Sequence, residues 1–245
     1  MIHRRIWILT LFPEYFAPLL ACGIAGQAFR GERSEKVKFS VQCVNIRDWG
    51  LGNYKAVDDT PYGGGPGMIM RADVLAQAFN EGIMKPGGYT DRSELHVIYT
   101  GPRGKVWNNI IAREFASTTM LDKDLVWVCG RYEGIDERFL ELYVNETFSL
   151  GDFVLTGGEP AVLTMLDSAI RFVPGILGNK FSANEDSFED GLIECPQYTK
   201  PREFEGALVP EVLMNGHHAE ILKWQKNLKI EMTKNHRPDL WQKKN

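Results

Sequence analysis

The stretch LVWVCGRYEGIDERF (125–139) decides how the fold is read. Leu125–Cys129 is apolar without a break, as a strand buried on both faces is. The run stops at Gly130, passes a second glycine at Gly134, and turns to helical spacing over Ile135–Tyr143. Strand, glycine turn and helix make up the repeating unit of a parallel α/β sheet. The same order recurs in SLGDFVLTGGE (149–159), which leads into a helix near Ala161–Phe172. The two segments also carry Arg131, Glu133, Asp136, Glu137, Arg138, Asp152 and Glu159. Charge beside so much glycine suits a pocket walled by main-chain loops, where backbone can approach a ligand closely. A plainer reading is that the glycines only make tight turns and helix caps.

The pattern extends outward from these segments. Ile6–Leu11 reads as a buried strand, followed by a helix near Pro13. Val37, Phe39, Val41 and Cys43 alternate with polar residues, as in a strand with one wet face. Arg47–Gly67 reads as a loop ending in DDTPYGGGPG, and Ala72–Asn80 as a helix. Leu95–Tyr99 is a short strand before Thr100-Gly101-Pro102, and Asn108–Ser117 a further helix. The expected class is α/β with a mostly parallel sheet. Ligands of such sheets sit at the carboxyl ends of strands. Here those ends are Tyr99–Pro102, Gly130–Gly134 and Leu150–Gly158. After Pro174-Gly175 the chain turns polar and acidic over 178–194, which reads as a mobile linker. A small helical unit follows from about Val209, and no internal repeat is present.

With 245 residues, 44% apolar and 24% charged, the chain is long enough for a large domain with a smaller one. Net charge is −4, but residues 219–245 hold seven Lys and Arg against three acids. A basic end on an acidic body points to a polyanion partner, or more plainly to a solvated helix face. Cys22, Cys43, Cys129 and Cys195 are scattered, which predicts buried free thiols in a reducing compartment rather than a zinc site or disulfides. No stretch approaches the ~20 apolar residues of a membrane span. The reading is a cytoplasmic protein with no membrane partner. Gly104-Lys105-Val106 lacks the hydroxyl of a phosphate-binding loop, no G-x-G-x-x-G follows a strand, and HExxH and G-x-S-x-G are absent. The common kinase, dehydrogenase, hydrolase and metalloprotease signatures are therefore missing.

DDTPYGGGPGMIM (58–70), CGRYEGIDERF (129–139), SLGDFVLTGGE (149–159), LDSAIRFVPGILG (166–178), EDSF (185–188) and CPQYTKP (195–201) occur in this order. Together they resemble the bacterial tRNA (guanine-N1)-methyltransferases, which modify guanosine 37 beside the anticodon. The resemblance covers nearly the whole chain. It implies a trefoil-knotted (SPOUT-like) methyltransferase domain over 1–177, a flexible linker over 178–194 and an all-helical tRNA-binding domain over 195–245. It also implies a homodimer with active sites at the subunit interface.

The resemblance further implies S-adenosylmethionine as methyl donor. Its site would comprise Tyr99, Thr100, Gly101, Pro102, Gly130, Tyr132, Glu133, Gly134, Leu150, Gly151, Asp152, Phe153, Val154, Leu155, Gly157 and Gly158. Guanine N1 carries a proton at neutral pH, so its methylation needs a base, with a cation for the charge that builds on O6. The family pattern places these roles at Asp186 and Arg171, with Asp152 and Asp167 as other carboxylates in reach of the reading. Asp58 or Asp59 offers hard oxygen for Mg²⁺. Lys223, Lys226, Lys229 and His218 would grip the tRNA backbone.

Overall fold

The computed structural model describes residues 1–177 and 187–244. Its strands follow in chain order as β1 (Ile2–Thr10), β2 (Val37–Asn45), β3 (Asp58–Asp59), β4 (Ile69–Met70), β5 (Leu95–Val106), β6 (Asp124–Val128) and β7 (Glu146–Ser149). Five of them form one sheet in the order β2-β1-β6-β5-β7, and every adjacent pair is parallel. All their carboxyl ends therefore face one edge.

Side chains alternate across a strand, and here both sets are buried. Ile6 and Ile8 enter one core while Trp7 and Leu9 enter the other. Leu125, Trp127 and Cys129 likewise oppose Val126 and Val128. The first core is closed by α1 (Ala17–Ala21), α2 (Gly23–Phe29), α5 (Asn109–Ser117), α6 (Thr119–Asp122) and α8 (Glu159–Ile170). The second is closed by α3 (Ala72–Phe79), the π turn that joins it to α4 (Lys85–Gly87), and α7 (Glu137–Tyr143). Helices on both faces explain why β6 is apolar throughout. At the centre Trp127 is fully buried, with Phe115 edge-on at 5.7 Å.

Several elements run longer than the sequence reading. β1 starts at Ile2, four residues before the apolar run, because Ile2–Arg5 pair with Val37–Ser40 of β2. β5 continues past Tyr99 to Val106, with Thr100 and Lys105 both pairing with Phe148, so Gly101–Gly104 swells out of the ladder. Gly104 is obligatory there, because a Cβ would lie 2.5 Å from the backbone of Thr147 and Phe148. The helix begun by α3 continues through a π turn, Asn80–Met84, into α4. It stops at Gly88, whose φ of +72° makes a left-handed cap.

The chain divides into two compact units, Met1–Gly178 and Asn179–Asn245. The second holds α9 (His218–His236), α10 (Pro238–Lys244) and a hairpin of β8 (Glu203–Phe204) with β9 (Ala207–Leu208). It is thus not all-helical. Glu205 and Gly206 both have positive φ, +50° and +83°, the combination that favours a two-residue hairpin turn. Residues 187–194, assigned to a linker by composition, pack within this unit. Ile193 N donates to Thr233 Oγ1 at 3.0 Å, Lys229 pairs with Asp190 at 3.1 Å, and Leu192 is buried. The acids of this stretch hide the apolar Leu192 and Ile193 from a reading based on composition.

Candidate functional site

The Gly101–Gly104 bulge of β5 and the loops that leave the carboxyl ends of β6 and β7 close on one another. Gly158 N donates to Gly130 O at 2.9 Å. A Cβ on Gly158 would sit 2.6 Å from Thr100 Oγ1 and 3.0 Å from Cys129 Cα, so only glycine permits this approach. The DDTPYGGGPG loop joins from the side. Glu133 N donates to Met68 O and Met70 N to Gly134 O, each at 2.9 Å. Tyr132, between them, holds a φ of +58°, a costly conformation for a side chain that bulky.

The loops enclose a cavity of about 260 Å³. Its wall includes Tyr99, Thr100, Gly101, Pro102, Gly130, Tyr132, Glu133, Gly134, Leu150, Gly151, Phe153, Val154, Leu155, Gly157 and Gly158. Of the donor residues expected from the sequence, only Asp152 is off the wall; it is exposed. The wall also includes Arg131, Phe148, Ser149, Thr156 and Ala161, which the sequence reading did not assign. Four of these lie inside or beside the glycine segments, so proximity was the available signal.

The cavity asks for a ligand in two ways. Thr100 Oγ1 is buried and has no hydrogen-bond partner among the described residues. An unsatisfied buried hydroxyl costs about 1–3 kcal/mol. Phe153 and Val154 leave 58% and 98% of their surface exposed at the mouth. These features suit a partly apolar ligand with a polar edge, a character that the adenosine of S-adenosylmethionine shares. Burial pushes the Tyr99 phenol above its ordinary pKa, and burial followed by Asp58 does so for Tyr132, so both stay neutral donors. Burial holds the Cys129 thiol far above its usual range, leaving it inert.

The acceptor-side residues are placed differently. Arg171 caps the carboxyl end of α8, whose amino end abuts the cavity at Gly158. At ~1.5 Å per residue, Gly158 and Arg171 stand about 20 Å apart. The chain beyond Arg171 is tied to the amino end of the sheet: Ser34 Oγ donates to Pro174 O at 3.2 Å, just before β2. Within one chain, then, Arg171 does not reach its own cavity. Asp186 lies outside the described residues. Asp167 is exposed on α8.

No three His, Cys, Asp or Glu side chains converge among the described residues. Asp59 is held by Arg71 at 2.8 Å, and Asp58 lies beside Tyr132. That pair offers no metal cage. A larger groove of about 580 Å³ lies at the opposite end of the sheet, near Arg5, Lys38 and Asp124. Its buried charge is already matched, since Asp124 takes Arg5 at 2.8 Å and the Tyr89 hydroxyl.

In the C-terminal unit, Lys223, Lys226 and His218 are exposed on α9. Lys229 is engaged by Asp190 and is therefore a poorer phosphate ligand than its neighbours. No helix among the described residues is long and apolar enough to cross a membrane.

Fold and cavity define a class: an α/β protein with a small-ligand pocket of main-chain loops at the carboxyl ends of parallel strands. A family model described as tRNA (Guanine-1)-methyltransferase TrmD matches residues 4–243. A Geobacter metallireducens protein named tRNA (guanine-N(1)-)-methyltransferase is 44% identical over 236 residues, which is 96% of this chain and 90% of that protein. Proteins of the same name from Geobacter sulfurreducens and Cereibacter sphaeroides are 46% and 42% identical, with the same coverage. The chain belongs to the tRNA (guanine-1)-methyltransferase family.

Proposed function

We propose that the chain methylates N1 of guanosine 37 in tRNA, with S-adenosylmethionine as donor. The observation that carries the reading is the cavity itself: three family-matched loops close around a buried, unpartnered Thr100 hydroxyl. When bound, S-adenosylmethionine supplies an activated methyl group on a positively charged sulfur.

The chain's own residues have four tasks. Backbone of the three loops, with Thr100, holds the adenosine and excludes water around it. Glu133, on the rim, supplies negative charge facing a cationic donor. Asp186 takes the N1 proton as the N1–carbon bond forms and the sulfur–carbon bond breaks. Arg171 stabilises the charge on O6. The target base leaves its stack to enter the site.

The 20 Å between Arg171 and the cavity of the same chain supports the homodimer implied by the family. A second copy would bring its Arg171 and Asp186 to each donor cavity. The trefoil knot implied by the family belongs to the same proposal. The exposed lysines of α9 would bind tRNA phosphates, and the working place would be the cytoplasm.

The test is transfer of label from S-adenosylmethionine to unmodified tRNA transcripts carrying guanosine or adenosine at position 37, with Asp186→Asn alongside. Label only in the guanosine transcript, as 1-methylguanosine, and lost in the variant, is the expected result. Label in another nucleoside would overturn the substrate; donor binding without transfer would overturn the chemistry.

A further inference from the structure

Arg131 and Glu159 form a buried ion pair beneath the donor cavity that the proposed chemistry does not use. Glu159, the first residue of α8, is fully buried, and the Arg131 side chain is 14% exposed. Arg131 Nη2 stands 2.9 Å from Glu159 Oε2, and its Nη1 donates to Thr156 O at 3.0 Å. The guanidinium lies 4.4 Å from the Phe12 ring centre and 5.6 Å from that of Tyr15. Thr10 Oγ1, at the end of β1, donates to Glu159 Oε1 at 2.7 Å.

Five segments therefore meet on one pair: the end of β1, the turn after it, the loop after β6, the loop after β7 and the start of α8. A Cβ on Gly157 would collide with Arg131 Nε, so the loop that walls the cavity runs directly over the guanidinium. A buried ion pair adds little net stability over apolar packing, and its best-attested use is to fix one arrangement. We infer that Arg131 and Glu159 are positioning residues, a cross-brace that sets the 150–158 loop at the height the methyl donor requires. The inference rests on the donor reading above.

The experiment uses full-length protein with Arg131→Met, Glu159→Gln and the double variant. It measures S-adenosylhomocysteine affinity by calorimetry, and kcat with KM for both substrates. The expected result is a rise of tenfold or more in the donor KM and in the S-adenosylhomocysteine Kd. The tRNA KM and the kcat at saturating donor stay within about threefold, and the double variant is no worse than Arg131→Met because the pair acts as a unit. Arg131→Lys restores part of the donor affinity through its charge. A structural role alone would lower kcat through loss of active protein and leave both KM values unchanged; that result overturns the inference. Folded variants with wild-type donor constants overturn it too. If Arg131→Met does not fold, Glu159→Gln, which keeps shape and the Thr10 contact, decides alone. Wild-type protein that binds neither S-adenosylmethionine nor S-adenosylhomocysteine defeats the donor reading itself, and the brace with it.

Discussion

Gly158 shows how tightly one residue constrains the cavity. Its missing Cβ lets Thr100, Cys129 and Gly130 come together, and two of those neighbours meet it with backbone that cannot swing away. Gly158→Ala is expected to weaken donor binding at least tenfold, about 1.4 kcal/mol or more, measured by calorimetry on protein whose melting shows it folded. Wild-type affinity would mean that the loops relax and that the close approach is dispensable. The glycines and apolar residues of the wall were legible in the sequence because they sit in short segments with an unusual composition. Arg131 was visible only as one charge among several. Its role depends on Thr10, Phe12 and Glu159, which come from distant parts of the chain, and no local pattern encodes that meeting.

Among the elements, β6, α5 and the buried half of β1 follow from the sequence directly; the polar start of β1, Ile2–Arg5, did not. Uninterrupted apolar runs fix buried strands, and Asn108 starts α5 by accepting from Ile110 N and Ile111 N at 3.0 and 3.1 Å. Asn108→Ala is expected to cost about 1 kcal/mol in chemical denaturation, with the donor constant unchanged. A change below ~0.3 kcal/mol would show that the cap is replaced by solvent. The extension of β5 was not legible. Pro102 and two glycines signal an ended strand, whereas the ladder resumes at Lys105 because β7 offers Phe148 and Ser149 as partners. The β8–β9 hairpin was hidden for a related reason: each arm is two residues long, too short for any alternation to register.

Across the whole molecule, burial sorts the four thiols. Cys22 is exposed, Cys43 is half-buried, and Cys129 and Cys195 are buried. Burial pushes the Cys43 thiol up to about 11. Alkylation at pH 7.5 is therefore expected to label Cys22 first and Cys43 slowly, with Cys129 and Cys195 reacting only on unfolding; mass spectrometry reads the order. Early labelling of Cys129 would contradict its place in the core. Because the folded value of Cys43 lies above the ordinary 9.0, its contribution to stability is full below pH ~9 and fades as pH climbs toward 11.

The separation of Arg171 from Gly158 along α8 has a genetic consequence. In the proposed dimer, each site takes its cavity from one chain and its Arg171 from the other, so two differently damaged chains would share their good halves. Arg171→Ala and Gly158→Ala proteins, each strongly impaired alone when assayed at donor concentrations well below the wild-type KM, are expected to regain about a quarter of wild-type activity when unfolded together and refolded as a mixture. Half the pairs would then be mixed, with one sound site and one doubly broken site each. Persistent silence of the mixture would place both residues in one chain's site and sever the link between helix length and pairing. Recovery would mean that a heterozygous cell hides both defects.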